Sequence, residues 1–186
     1  SVLFDAKADM VLYGMGEESV LAVAAALDGG SFPHGLRGSC EIAKEAPADY
    51  LQLPSFEDAK RDTNAFVRMY RDFYDNTDPI TARGLAQRHG DRWLLQHPPP
   101  AYESQEQLDR VYGMSFARDA HPSYRGKGRL PALDTIRFSI QTHRGCYGEC
   151  NFCAIAVHEG RRVRWRSERS VLDEAAGFAS HPAFKG

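Results

Sequence analysis

Cysteine is scarce in this 186-residue chain: there are four, and three of them fall within one short stretch. Long apolar runs are missing. The longest, such as Val20 to Leu27, fall well short of the roughly 20 residues that cross a bilayer, so no membrane partner is expected. An excess of one charge is also lacking, since 23 basic residues meet 25 acidic ones. The net −2 gives no electrostatic case for nucleic acid or for an anionic surface. Nothing repeats and nothing is of low complexity, which excludes a solenoid and a disordered chain. What remains is an ordinary globular composition, 42% hydrophobic and 26% charged, sufficient for one sizeable core or one and a half small domains.

The crowded cysteines lie in Cys146-Tyr147-Gly148-Glu149-Cys150-Asn151-Phe152-Cys153, a C-x3-C-x2-C pattern with an aromatic directly before the last. An odd trio on one loop is poor disulfide geometry, and it predicts a reducing, cytoplasmic setting. It is good metal geometry. Thiolates bent together by Gly145 and Gly148 select soft centres, namely zinc, copper(I) or iron–sulfur clusters. A structural zinc takes four protein ligands and a simple electron-transfer cluster usually takes four cysteines. Three cysteines therefore suggest a four-iron cluster with one iron open to a ligand. The alternative is a zinc knuckle completed by His143 or His158. Cys40 stands apart and reads as a small buried hydrophobe.

Along the chain, Met10 to Tyr13 reads as a strand ending at the Gly14-x-Gly16 turn, and a helical pattern runs from Gly16 through Leu27. Ser39 to Ile42 is a second candidate strand. Ser55 is placed to cap a helix, and Phe66, Met69, Tyr70, Phe73 and Tyr74 form an aromatic stripe at helical spacing, expected to face a core. Trp93 to Leu95 reads as a strand leading into Pro98-Pro99-Pro100, which must be extended. Ser104 with Gln107 makes a capping box, residues 114–131 have loop composition, and Ser170 is placed to cap a helix over Val171 to Phe178. Between the cysteines and that helix, Arg161, Arg162, Arg164, Arg166 and Arg169 crowd around Trp165. They suit partners for carboxylates, a solvated face, or a strip contacting single-stranded nucleic acid. The adjacent His158 and Glu159 point opposite ways in extended backbone, which argues against a working acid–base pair.

The cysteine spacing, with Phe152 in the aromatic slot and the apolar run Ile136 to Ile140 before it, resembles the radical S-adenosylmethionine (SAM) superfamily. Further blocks, in order, resemble the YgiQ family of radical SAM proteins: Ser1 to Met10, Leu53 to Glu57, Gln87 to Arg92, Pro98 to Pro100, Arg137 to Ser139, His158 to Arg161 and Arg166-Ser167. The resemblance implies that the loop follows the first strand of a partial (β/α) barrel. It implies that Cys146, Cys150 and Cys153 hold a 4Fe-4S cluster, and that Phe152 meets the adenine of SAM. The implied reaction is reductive cleavage of SAM to methionine and a 5′-deoxyadenosyl radical, which takes hydrogen from an unnamed substrate; an electron donor must reduce the cluster.

The expected fold class is α/β, as an internal segment of a longer protein. Residues 1–50 would be the tail of a Rossmann-like N-terminal domain, 51–131 a family-specific connecting region, and 132–186 the start of the barrel. Cobalamin is not expected, because no Asp-x-His-x-x-Gly signature is present. The superfamily's remaining SAM contacts lie on later strands, so a cluster without SAM chemistry is a second alternative to the zinc module.

Overall fold

Apolar runs bounded by turn residues become strands and helices close to their expected places in the computed structural model, which describes residues 2–185. The chain runs α1 (Val2–Ala6), β1 (Met10–Leu12), α2 (Glu17–Asp28), β2 (Ser39–Ala43), β3 (Leu51–Leu53), α3 (Phe56–Arg61), α4 (Thr63–Asp75), β4 (Leu85–His89) and β5 (Arg92–Gln96). It continues through α5 (Gln105–Tyr112), α6 (Leu133–Ile136), β6 (His143–Arg144), α7 (Ile155–His158), β7 (Arg164–Trp165) and α8 (Glu168–Gly177). Two compact units share these elements. One comprises Ser1–Tyr102 with Gly145–Arg162, the other Glu103–Arg144 with Val163–Gly186.

The first unit is organised by a five-stranded sheet in the order β1-β2-β5-β4-β3. Three of its four pairings are antiparallel and only β3 with β4 is parallel. A parallel pair needs a crossover, which α3 and α4 supply. Ser55 caps α3, accepting from the Asp58 N–H at 3.0 Å. The sheet is therefore mixed, where a Rossmann-like tail would be parallel, and it draws on residues on both sides of position 50. The aromatic stripe of α4 divides. Met69 and Phe73 face Leu53, Leu85 and Leu94 around a cavity of about 140 Å³, whereas Phe66 and Tyr70 are exposed.

A polar clamp is set into this sheet. Glu41 of β2, 7% exposed, accepts from His34 Nδ1 at 2.7 Å, from His97 Nε2 at 2.8 Å and from the Gly35 N–H at 3.2 Å. His97, 3% exposed, meets the Tyr50 hydroxyl at its other ring nitrogen, and its carbonyl accepts from Tyr13. With Nε2 donating to the carboxylate, Nδ1 is left to accept from Tyr50. Burial alone would raise the Glu41 carboxyl, but the hydrogen bonds from His34, His97 and Gly35 outweigh it and hold the group below its ordinary value.

In the second unit, α5 opens with the expected capping box, in which Ser104 and Gln107 satisfy each other's backbone N–H. Residues 136–140 do not form a barrel strand. Ile136 closes α6, and Phe138 instead packs with Phe178, His181 and Phe184. The only ladder described in this unit is β6 with β7, two residues long and antiparallel. A parallel strand needs a neighbour running its own way, and residues 132–185 offer none. Helix α8 starts before the expected Val171, because Ser167 rather than Ser170 accepts the capping bond, from the Ser170 N–H at 3.1 Å.

Because the Glu41 carboxyl is held low in the folded chain, its contribution to stability is complete above its unfolded value of about 4.3 and is lost as pH falls through the lower folded value. Denaturant unfolding of Glu41→Gln is thus expected to show a flatter acid limb than the parent. Parallel acid limbs for the two proteins would sink the clamp as a source of pH dependence.

Candidate metal centre

The cysteine loop belongs to the first unit and begins at a point of very close backbone approach. Gly145 is buried with φ +88°, and a Cβ there would stand 2.1 Å from the Arg162 carbonyl oxygen and 3.1 Å from that of Gly160. Only glycine fits. Residues 159–162 lie across the loop like a strap. The Gly145 N–H donates to the Glu159 carboxylate at 2.8 Å and the Cys146 N–H donates to the Gly160 carbonyl at 3.1 Å. Glu159 thus holds the loop's backbone, and the stretch expected to be extended is instead helical, with His158 closing α7 and Glu159 capping it.

Beyond the strap the loop turns outward. Cys146 is half-buried, while Cys150 and Cys153 are exposed. The Gly148 N–H points at Cys146 Sγ over 3.3 Å, the kind of donor that cluster sulfurs accept. A Cβ on Gly148 would lie 3.2 Å from Cys146 Sγ and 4.0 Å from Cys150 Sγ, so the glycine leaves clear a space that both sulfurs border. The Cys153 N–H closes the C-x2-C turn on the Cys150 carbonyl at 3.0 Å. Soft thiols around a cleared space suit an iron–sulfur group. A single zinc bound at about 2.3 Å by each sulfur would draw its ligands to within roughly 4 Å of one another. No three His, Cys, Asp or Glu side chains among the described residues stand ready to grip one ion.

Cys40 takes no part. It is half-buried in β2, and burial pushes its thiol up to about 11, as befits a packing residue. Phe152 is 93% exposed and Tyr147 84% exposed. The loop therefore offers its aromatic faces outward, and Phe152 does not serve to pack it down.

The arginines after the loop are mostly committed to partners. Arg161 Nη1 meets Glu149 Oε1 at 2.8 Å, and its guanidinium lies 4.3 Å from the centre of the Tyr74 ring. Arg162 lies over Tyr102. In the second unit Arg164 pairs with Glu103 at 2.9 Å, Arg166 is buried against Glu174 and Tyr112, and Arg169 pairs with Asp173 one helical turn on. Within each unit they are matched to carboxylates and rings. The strap and its Tyr74 platform were not expected from sequence. The one signal available was Gly160, set between Glu159 and Arg161 shortly after the last cysteine.

A family model described as radical SAM N-terminal matches residues 1–139. The chain belongs to that family. It is a member of the radical SAM superfamily, as the ordered sequence blocks implied. It is 50% identical over 185 residues to a UPF0313 protein of Fusobacterium nucleatum, covering 100% of this chain and 33% of that protein. A UPF0313 protein of Clostridium botulinum is 38% identical and one of Methanocella arvoryzae 39% identical, each over 191 residues and 100% of this chain, with 30% and 32% of those proteins covered. The chain thus spans about a third of the length of these relatives. No solved structure matches. Among the described residues, no helix is long and apolar enough to cross a membrane. The family model stops short of Cys146, so the metal centre rests on the loop's own geometry.

Gly145→Ala should lift the strap at a cost of about 1–3 kcal/mol. Alkylation of Cys146 should then accelerate by roughly tenfold or more while Cys150 and Cys153 react as before. An unchanged Cys146 rate would show that the loop does not depend on this contact.

Proposed function

We propose that this chain carries the cluster-binding loop of a radical SAM enzyme, with Cys146, Cys150 and Cys153 each binding one iron of a 4Fe-4S cluster and the fourth iron left for SAM. The observation that carries the reading is the strapped, outward-turned loop, in which Gly148 clears a space bordered by the Cys146 and Cys150 sulfurs. When bound, the cluster supplies the electron for reductive cleavage of SAM, whose 5′-deoxyadenosyl radical then takes hydrogen from a substrate.

The chain's own residues bind and orient. Gly145 with Glu159 and Gly160 fixes where the first thiol emerges. The Gly148 N–H steadies the Cys146 sulfur. Phe152, exposed beside the last ligand, offers an unencumbered ring for the adenine of SAM. An external electron donor and a reducing, cytoplasmic setting complete the reading. The hydrogen donor belongs to the whole protein, of which this chain corresponds to about a third in its relatives.

Anaerobic reconstitution with iron and sulfide should give about four irons per chain, and electron paramagnetic resonance of the reduced full-length protein should change when SAM is added. Cys146→Ala, Cys150→Ala and Cys153→Ala should each lose the stable cluster. Phe152→Ala should keep its iron yet show a weaker response to SAM. Zinc retained through the same three cysteines under anaerobic conditions would overturn the assignment.

A further inference from the structure

Within the first unit, one cation is planted beside the cysteine loop by a contact unrelated to the loop itself. Arg161 lies over Tyr74 of α4, with its guanidinium carbon 4.3 Å from the ring centre. From there Nη1 reaches Glu149, which sits between Cys146 and Cys150, at 2.8 Å. The same guanidinium keeps Nε and Nη2 buried without hydrogen-bond partners. Buried N–H groups are rarely left so, and where they are, the position of the side chain answers to another demand. That demand is visible in the two contacts: the ring holds the guanidinium in place, and from that place Nη1 reaches Glu149.

We propose that Arg161 is a positioning residue for the cysteine loop, and that the Arg161–Glu149 pair sets the electrostatic environment of whatever the three thiolates bind. The inference rests on the iron–sulfur reading above. α4 packs on the five-stranded sheet, so the pair ties the exposed middle of the loop to the body of the unit, while the Glu159–Gly160 strap ties its beginning. A thiolate-bound iron–sulfur cluster carries net negative charge that increases on reduction. A fixed cation nearby favours the reduced state and a carboxylate disfavours it. The two members of the pair therefore oppose each other, and removing one exposes the other's effect.

The test uses the full-length protein, reconstituted anaerobically, with iron and sulfide counted first, then the midpoint potential of the cluster and the rate of iron release to a chelator. Arg161→Gln should load, release iron several-fold faster and shift the potential downward. Glu149→Gln should shift the potential upward. Arg161→Lys should hold the parent potential yet release iron faster than the parent, since it keeps the charge and loses the guanidinium's contact with Tyr74. Tyr74→Leu should release iron faster as well, which keeps the inference testable if an Arg161 variant fails to fold. Potentials that stay put, or that move the same way in Arg161→Gln and Glu149→Gln, would overturn the inference while leaving the cluster assignment standing. A parent protein that binds no iron–sulfur cluster would instead remove the reading on which it rests.

Discussion

Everything at the cysteine loop depends on two backbone segments passing closer than any side chain permits. At Gly145 the carbonyl of Arg162 occupies the space that a Cβ would need. This contact aligns the Cys146 N–H with Gly160 and the Gly145 N–H with Glu159. The loop is held by backbone rather than by a hydrophobic plug, which explains how it can carry two fully exposed aromatic rings and still keep a defined start. A metal-binding loop needs that combination, with ligand atoms turned outward on a base that does not move with them.

Charge in this chain is organised locally. The near-zero net charge hides pairs that are specific: Glu41 between two histidines, Glu103 between Arg144 and Arg164, and Glu174 between Arg118 and Arg166. Each carboxylate is largely buried and each is served by two basic side chains. A buried carboxylate served on both sides has its lone pairs satisfied; served on one side, it would leave some unsatisfied in a medium that penalises them. The arginine-rich segment after the cysteines is accordingly better understood as a set of anchors than as a surface.

Much of this was legible in the residues, and the parts that were not share a cause. Strand and helix positions followed from period and caps: Ser55 and Ser104 cap where expected, and Met10, Ser39 and Trp93 lie in strands. The candidate metal centre was marked by three cysteines at a spacing that few other uses require. What period cannot report is which strand lies beside which. The parallel β3–β4 pair and the antiparallel neighbours of β2 depend on contacts distant in sequence. Residues 136–140 look apolar enough for a strand, yet the aromatic group of Phe138, Phe178 and Phe184 draws them into a turn. The Glu41 clamp was equally hidden, since His34 and His97 acquire meaning only once the sheet brings them to the same carboxylate.

The path of the chain between its units bears on synthesis. The first unit is interrupted at Tyr102 and receives a further piece, Gly145–Arg162, only after Glu103–Arg144 has been made. On a ribosome the five-stranded sheet can therefore form early, while the cysteine loop must wait for the strap to emerge behind it. The three thiols would then take up their final arrangement only after the body that supports them has folded.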